Sequence, residues 1–230
     1  MHSHNNISHT EPLIVLSNVS KAFASKKVLD NVSLTVNKGD FVAITGPNGG
    51  GKTTLLRLIL RLIKPSSGSI TYHDRDIKFG YLPQKNMIDS RFPITVREVV
   101  TSGLELKAWK RITSEQRDRV EETIAKVGLQ DLSDKAIGEL SGGQLQRALL
   151  GRAIIGHPSV LVLDEPLSYI DKQFEKQLYE IIELLSQDCT VLVVSHEMTV
   201  FSQLANRHLI VNRTVRECQA HHHYHPSECE

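Results

Sequence analysis

The spacing of apolar residues changes several times along the chain, and each change predicts a different kind of element. Between Val28 and Val36, apolar and polar positions alternate, which is typical of a strand with one buried face. The runs Phe41–Ile44, Val160–Leu163 and Val191–Val194 are apolar throughout. Such runs are typical of strands covered on both faces, as in a parallel sheet. The pattern therefore predicts an α/β core.

Helical spacing dominates the middle of the chain, within about residues 86–156. There, Thr113 followed by Gln116 has the pattern of a capping box, and Gly128 is typical of a helix end. Beyond this stretch, strands and helices alternate again, with a helix predicted across residues 173–186. We therefore predict a helical subdomain that is inserted into the α/β core.

A glycine-rich loop lies between the strand pattern Phe41–Ile44 and the apolar helical pattern Leu55–Leu60. It fits G-x-x-x-x-G-K-[ST], the P-loop, in which backbone N–H groups and a helix N-terminus face a phosphate. Lys52 would reach the β- and γ-phosphates, and the Thr53 hydroxyl would hold Mg²⁺. The predicted nucleotide-binding residues of this loop are Gly46, Pro47, Asn48, Gly49, Gly50, Gly51, Lys52, Thr53 and Thr54.

Two acidic residues, Asp164 and Glu165, directly follow the buried strand pattern Val160–Leu163. The carboxyl end of such a strand lies at the crevice in which α/β folds bind ligands. Asp164 is predicted to hold Mg²⁺, directly or through water. Glu165 is predicted to be the general base that polarises the attacking water. Together with the P-loop, these residues predict nucleotide hydrolysis.

A second glycine-bearing loop, Ser141-Gly142-Gly143-Gln144, also opens a helical pattern. Ser141 and Gln144 fit a capping box, and the two glycines after the cap expose N–H groups to an anion. One chain rarely needs two phosphate-binding helix ends for one nucleotide, unless a second copy shares the site. This loop is therefore either a capped helix start alone or a second phosphate-binding helix end, and the second reading would imply a site shared between two copies.

The order of P-loop, Leu-Ser-Gly-Gly-Gln and Leu-Val-Leu-Asp-Glu-Pro resembles that of the ATP-binding cassette (ABC) ATPases, over about residues 13–215. The resemblance implies a P-loop NTPase (RecA-like) core with an antiparallel β subdomain and an inserted α-helical subdomain. It also implies ATP and Mg²⁺ as ligands and a head-to-tail homodimer. In that dimer, the signature residues Ser141, Gly142, Gly143 and Gln144 of one copy cover ATP held by the other.

The same resemblance implies roles for residues outside these motifs. Phe23 would stack on adenine, and Gln84 of the Q-loop would contact Mg²⁺ or the attacking water and report to a membrane partner. Asp171 belongs to the D-loop, and His196 would hold the γ-phosphate. The implied catalytic residues are thus Glu165, His196, Gln84 and Lys52, and the implied Mg²⁺ ligands are Thr53, Gln84 and Asp164.

Composition narrows the class of partner. The 230 residues are 40% hydrophobic and 23% charged, with a net charge of +1, which argues against a broad nucleic-acid-binding surface. Three cysteines do not suggest a disulfide framework and suit a reducing cytosol. No apolar run approaches the ~18 residues of a membrane span, and no signal-peptide pattern opens the chain. These features fit a protein that is soluble, or peripheral to a membrane through a partner. The resemblance to ABC ATPases implies a peripheral protein on the cytoplasmic face of the inner membrane, bound there through an integral membrane permease.

The predicted domain organisation has three parts: a disordered tail at 1–11, one ATPase domain at 12–216 and a second tail at 217–230. The second tail carries imidazole and thiol groups, which are ligands that suit Zn²⁺, although their spacing is not that of a folded zinc site. It can equally be a disordered polar tail. The candidate tail ligands are Cys218, His221, His222, His223, His225 and Cys229.

The stretch Phe92–Val100 bears on the cargo. It resembles the F-P-x-T-V-x-D-V-V pattern of the ATPase subunits of zinc- and manganese-type importers, and residues 165–171 are similar to their E-P-F-T-G-V-D form. We expect import of zinc or manganese, with a solute-binding protein as an indirect partner. The alternatives are an iron-chelate or cobalamin importer and, less favoured, a soluble ABC ATPase without a permease.

Overall fold

The computed structural model describes residues 11–84, 92–104, 111–195, 201 and 203–218. Within them, two sheets form: a six-stranded sheet of order β5-β6-β7-β3-β8-β9 and a three-stranded sheet of order β2-β1-β4. The strands are β1 (Pro12–Phe23), β2 (Lys26–Asn37), β3 (Phe41–Thr45), β4 (Ser67–Tyr72), β5 (Phe79–Leu82), β6 (Val160–Asp164), β7 (Thr190–Val194), β8 (Arg207–Asn212) and β9 (Thr214–Cys218). The helices are α1 (Lys52–Ile59), α2 (Val96–Thr101), α3 (Ser114–Lys126), α4 (Gly142–Ile154) and α5 (Lys172–Ser186).

The six-stranded sheet is parallel from β5 to β8, and β9 joins it antiparallel. Every residue of β6 and β7 is buried. Alternate residues of β6 face two separate apolar cores: Leu161 and Leu163 face one, and Val160 and Val162 face the other. This two-sided burial explains the uninterrupted apolar runs and confirms the predicted parallel sheet.

The three-stranded sheet is antiparallel throughout, which confirms the predicted β subdomain. Helices α2, α3 and α4 form the inserted helical subdomain. The capping box predicted at Thr113 is present, and Gly128 follows α3 with φ 67°, as a C-terminal glycine requires. Gly151 of α4 lies against α2, because a Cβ there would come within 3.0 Å of the Val100 side chain.

Three boundaries differ from the prediction. The apolar helical pattern that begins at Leu55 predicts a helix that ends near Lys64, but α1 ends at Ile59, whose backbone oxygen accepts a hydrogen bond from the Tyr72 hydroxyl at 2.9 Å. A strand, β9, reaches Cys218, past the predicted domain boundary at 216. Glu11 is part of the folded structure, since its backbone oxygen accepts a hydrogen bond from Lys38 at 3.0 Å.

An ionic cluster holds β9 in place. Arg207 of β8 donates to Asp40 at 2.7 Å and to both carboxylate oxygens of Glu217, at 2.6 and 2.8 Å. The hydrogen bonds from Arg207 lower the pKa of Glu217. Because Asp40 immediately precedes β3, the cluster ties the C-terminal strand to the strand that leads into the P-loop.

Candidate active site

The P-loop joins β3 to α1, as predicted. The N-cap of α1 is Gly51, with φ 107°, and no side chain forms a capping hydrogen bond with it. The ammonium group of Lys52 folds back and donates to the backbone oxygens of Gly46 at 2.8 Å and Pro47 at 3.1 Å. Burial lowers the pKa of Lys52, while the charges of Glu165 and Asp164 oppose that shift. The lysine is thus positioned by the loop itself.

The loop packs closely on the hairpin of β8 and β9. A Cβ at Gly46 would overlap the backbone oxygen of Val211, and one at Gly50 would lie 2.6 Å from the same oxygen. The N–H of Arg213 in the hairpin turn donates to the Gly50 oxygen at 2.8 Å. Two of the glycines are therefore required by a neighbouring strand as well as by the path of the loop.

The residues predicted to hold Mg²⁺ lie together at the carboxyl end of the sheet. The Thr53 hydroxyl donates to Asp164 at 3.0 Å. Asp164 is 1% exposed, and its burial raises the pKa of the carboxyl, partly offset by the hydrogen bond from Thr53. A hydroxyl beside a carboxylate is an oxygen donor set of the kind that Mg²⁺ prefers. The residues present fit this ion.

Glu165 lies next to them, in an unusual backbone conformation with φ 56°. Its N–H donates to Val194 of β7 at 2.9 Å. One oxygen of its carboxylate accepts hydrogen bonds from the Gln84 amide at 3.0 Å and from the Ser168 hydroxyl at 3.3 Å. The contact with Gln84 follows from register, because Leu82 pairs with Leu163 and both side chains lie two residues further along.

The predicted signature loop opens α4 with the expected capping box: Ser141 accepts from the Gln144 N–H at 3.2 Å, and the Gln144 side chain accepts from the Ser141 N–H at 2.9 Å. It borders a cavity of about 440 Å³. The described residues that line this cavity come from the segment 128–132 after α3, the start of α4 and residues 169–171, and none belongs to the P-loop. The structure therefore does not bring the two glycine-bearing loops into one cavity of a single chain.

Other predicted residues lie apart from this group or outside the described residues. Phe23 ends β1 and is 47% exposed, with the Lys21 ammonium 5.0 Å from its ring centroid. His196 lies outside the described residues. So do the candidate tail ligands except Cys218, which ends β9 and is disulfide-bonded. No group of three or more metal-binding side chains occurs within the described ranges.

The contacts that three polar residues make with residues 165–171 were not predicted from the sequence. Ser168 donates to the Glu165 carboxylate, Gln146 of α4 contacts the Glu165 backbone oxygen, and Arg147 of α4 pairs with Asp171. Gln146 and Arg147 follow the signature directly, which is a signal that could have drawn attention to them. Asp171 also accepts from the Phe174 N–H at 2.9 Å and so caps α5, a role readable from an aspartate before an amphipathic helix.

Comparison with known proteins identifies the family of this chain. Residues 29–168 match the sequence model of the ABC transporter family. The chain belongs to the ABC transporter family. It is 39% identical over 210 residues to a "Probable metal transport system ATP-binding protein" of Chlamydia trachomatis, covering 88% of this chain and 89% of that protein. It is 37% identical to the zinc import ATP-binding protein ZnuC of Pasteurella multocida, over 89% of this chain and 74% of that protein.

Solved structures agree with this assignment. A dimeric ATP-binding cassette in a post-hydrolysis state with ADP and Pi is 27% identical, has a TM-score of 0.80, and is matched over 92% of this chain and 100% of its own. The chain is thus the ATP-binding cassette, the ATPase component, of an ABC transporter, as the sequence predicts. Within the part of this ABC ATPase that the structure describes, no helix has the length and apolar character that crossing a bilayer takes.

Proposed function

We propose that this ABC ATPase hydrolyses ATP to drive import of a divalent metal ion, zinc or manganese. The observation that best supports ATP hydrolysis is the cluster at the carboxyl end of β6, where Glu165 and Gln84 lie beside the Thr53–Asp164 pair. The cargo is supported by the names of relatives that are 34–39% identical, which are zinc import, zinc uptake and metal transport ATP-binding proteins. The importer-like stretch Phe92–Val100 agrees with them.

Each residue at the site has a proposed part in hydrolysis. When ATP binds, the Lys52 ammonium leaves the backbone oxygens of Gly46 and Pro47 and contacts the β- and γ-phosphates. Glu165 takes a proton from the water that attacks the γ-phosphorus, while the bond to the bridging oxygen of ADP breaks. Thr53, Asp164 and Gln84 would hold Mg²⁺, which would supply positive charge near the phosphates.

The site has further proposed members beyond this cluster. His196 holds the γ-phosphate, and Phe23 stacks on adenine. Phe23 is exposed enough to accept a base on its ring.

The assembly that we propose contains two copies of this chain and an integral membrane permease on the cytoplasmic face of the membrane. The separate location of the signature cavity supports two copies, because the P-loop of the same chain does not line it. ATP would join the copies, and hydrolysis would release them, so that nucleotide state shifts the population between closed and open dimers. A solute-binding protein delivers the metal ion to the permease.

Substitution of the proposed base tests the catalytic assignment. Glu165→Gln should lower ATP hydrolysis by about 10²–10⁴-fold, because general base catalysis contributes that much, while ATP binding is kept. Size-exclusion chromatography with ATP should show a trapped dimer. The matched control is Glu180→Gln, which changes an exposed glutamate of α5. Hydrolysis by Glu165→Gln at the parent rate would remove Glu165 from this role.

Growth of a deletion strain under metal starvation tests which cargo is transported. A deletion strain should fail under starvation for zinc or manganese and recover when the intact gene, but not the Glu165→Gln variant, is returned. A defect confined to iron-chelate or cobalamin supply would assign one of those cargoes instead. Capture of the protein from detergent extracts without any multi-span membrane protein would favour a soluble ABC ATPase.

A further inference from the structure

Two consecutive residues of α4 contact the segment that contains Glu165. Gln146 is 1% exposed, and its amide nitrogen donates to the backbone oxygen of Glu165 at 3.5 Å, a long hydrogen bond. Arg147, the next residue, forms an ion pair with Asp171. Helix α4 therefore contacts both ends of residues 165–171, which we call the linker segment.

The Asp171 end is held firmly. One carboxylate oxygen of Asp171 accepts from the Phe174 N–H at 2.9 Å and caps α5, while the other accepts from Arg147. The backbone hydrogen bond from Phe174 and, after it, Arg147 lower the pKa of Asp171. The Arg147 guanidinium also stacks on Phe174, with its central carbon 4.0 Å from the ring centroid. One arginine thus joins α4 to the start of α5.

Two residues of the linker segment have strained backbone conformations. Glu165 and Tyr169 have φ of 56° and 68°, in the left-handed region that costs a residue with a side chain about 1–2 kcal/mol. Such conformations persist only where surrounding contacts hold them. Gly143 of α4 approaches closely, since a Cβ there would lie 2.8 Å from the Tyr169 oxygen. Contacts from α4 thus lie at both ends of the linker segment and beside Tyr169.

We propose that Arg147 is a positioning residue for ATP hydrolysis: through Asp171 it holds the linker segment in the conformation that directs Glu165 to the nucleotide of its own chain. This inference rests on the proposed function and its two-copy site. In that arrangement, the start of α4 faces the partner's nucleotide, whereas Glu165 serves the nucleotide of its own chain. Arg147 thus lies between the two nucleotides and acts on the one that its own helix start does not cover.

Mixed dimers separate these two sites. A chain carrying Glu165→Gln is mixed in excess with a chain that keeps Glu165, so that hydrolysis occurs only at the site whose Glu165 is intact. Arg147→Gln is placed in either chain, and single-turnover hydrolysis of labelled ATP is measured. When Arg147→Gln is in the chain with intact Glu165, the rate of the mixed dimer should fall by about 10- to 100-fold, as displacement of a catalytic group does. The KM for ATP should be unchanged. When Arg147→Gln is in the Glu165→Gln chain, the rate should stay near that of the reference mixture, in which both chains keep Arg147.

The controls separate positioning from folding. Arg147→Lys keeps the charge without the forked, planar group, so it should give an intermediate rate. Arg117→Gln makes the same exchange on α3, at an exposed residue distant in sequence from α4, and should leave the rate unchanged. If Arg147→Gln does not fold, as judged by thermal melting, Asp171→Asn carries the same comparison because it retains an oxygen that can cap α5.

The result that would overturn the proposal is a rate that falls equally in both placements, or only in the Glu165→Gln chain. Either would mean that Arg147 acts through the helix start that faces the partner's nucleotide, or through general stability. If the reference mixture forms no ATP-dependent dimer, the two-copy site of the proposed function fails instead, and the inference fails with it.

Discussion

The two helices with glycines at their starts, α1 and α4, differ in how their first turns are capped. At α4, Ser141 and Gln144 cap the helix from within the chain. At α1, the N-cap is Gly51, and no side chain caps the N–H groups that follow. Because uncapped N–H groups at a helix start attract an anion, α1 is built to bind phosphate directly, whereas α4 is complete without a ligand.

Charge follows the same division. Lys52 at the start of α1 donates hydrogen bonds to the neutral backbone oxygens of Gly46 and Pro47, so its positive charge is available to pair with a phosphate. Arg147 in the second turn of α4 is paired with Asp171, so its charge is already balanced. The comparison teaches that two glycine-bearing helix starts can differ in function: in the proposed mechanism, α1 binds the nucleotide, and α4 completes the site on the other chain.

Substitutions at the two helix starts should therefore differ in their effect on ATP binding, and this is the largest difference that we expect. Lys52→Ala should weaken ATP binding and lower hydrolysis by at least about 10²–10³-fold, the effect of losing one well-placed donor to transferring phosphate. Ser141→Arg should abolish hydrolysis equally well but leave ATP binding to the single chain intact. Fluorescent-ATP titration and phosphate release measure the two properties. Equal loss of binding in both variants would contradict the division.

The P-loop glycines offer a second contrast, in stability. Gly46→Ala should lower the free energy of unfolding by about 1–3 kcal/mol through overlap with Val211 on β8, in addition to backbone strain. Gly49→Ala is the matched control, since its Cβ would have no neighbour within 4 Å and only strain of about 1–2 kcal/mol applies. Urea denaturation compares them. If the two substitutions cost the same, packing of the hairpin on the loop does not constrain it.

The smallest expected effect concerns the cap of α4. Ser141→Ala should cost about 1 kcal/mol of stability, and so should Thr113→Ala, which removes the same capping box from α3. Only Ser141→Ala should also lower ATP hydrolysis, because Thr113 does not line the signature cavity. Thermal melts and hydrolysis assays on the two variants decide this. A parallel loss of hydrolysis in Thr113→Ala would mean that the cap acts through stability alone.

The sequence predicted the elements of this site better than their contacts. Strand, loop and helix around Lys52 could be read locally, because apolar runs and glycines mark them. The meeting of Gln84 with Glu165 depends on the register of β5 against β6, and sequence patterns do not specify which parallel strands are neighbours. The resemblance to a family, rather than spacing, suggested that Gln84 belongs to the site.

Contacts between elements were missed for the same reason. Arg147 has no neighbour in sequence that reveals its pairing with Asp171, because the two residues lie on different helices of the folded chain. The end of α1 was placed too late, since the contact that ends it comes from Tyr72 on β4. In both cases a tertiary contact decided what local propensity left open.

Complementation between two inactive chains tests most directly the central claim, which is that each chain contributes one half to each of two ATP sites. Lys52→Ala lacks a functional P-loop, and Ser141→Arg lacks a functional signature, so each alone should be inactive. In a mixed dimer, the intact P-loop and Glu165 of the Ser141→Arg chain meet the intact signature of the Lys52→Ala chain. Phosphate release should reappear on mixing and increase with the fraction of mixed dimer. A mixture as inactive as its components, although mixed dimers form, would contradict the shared site.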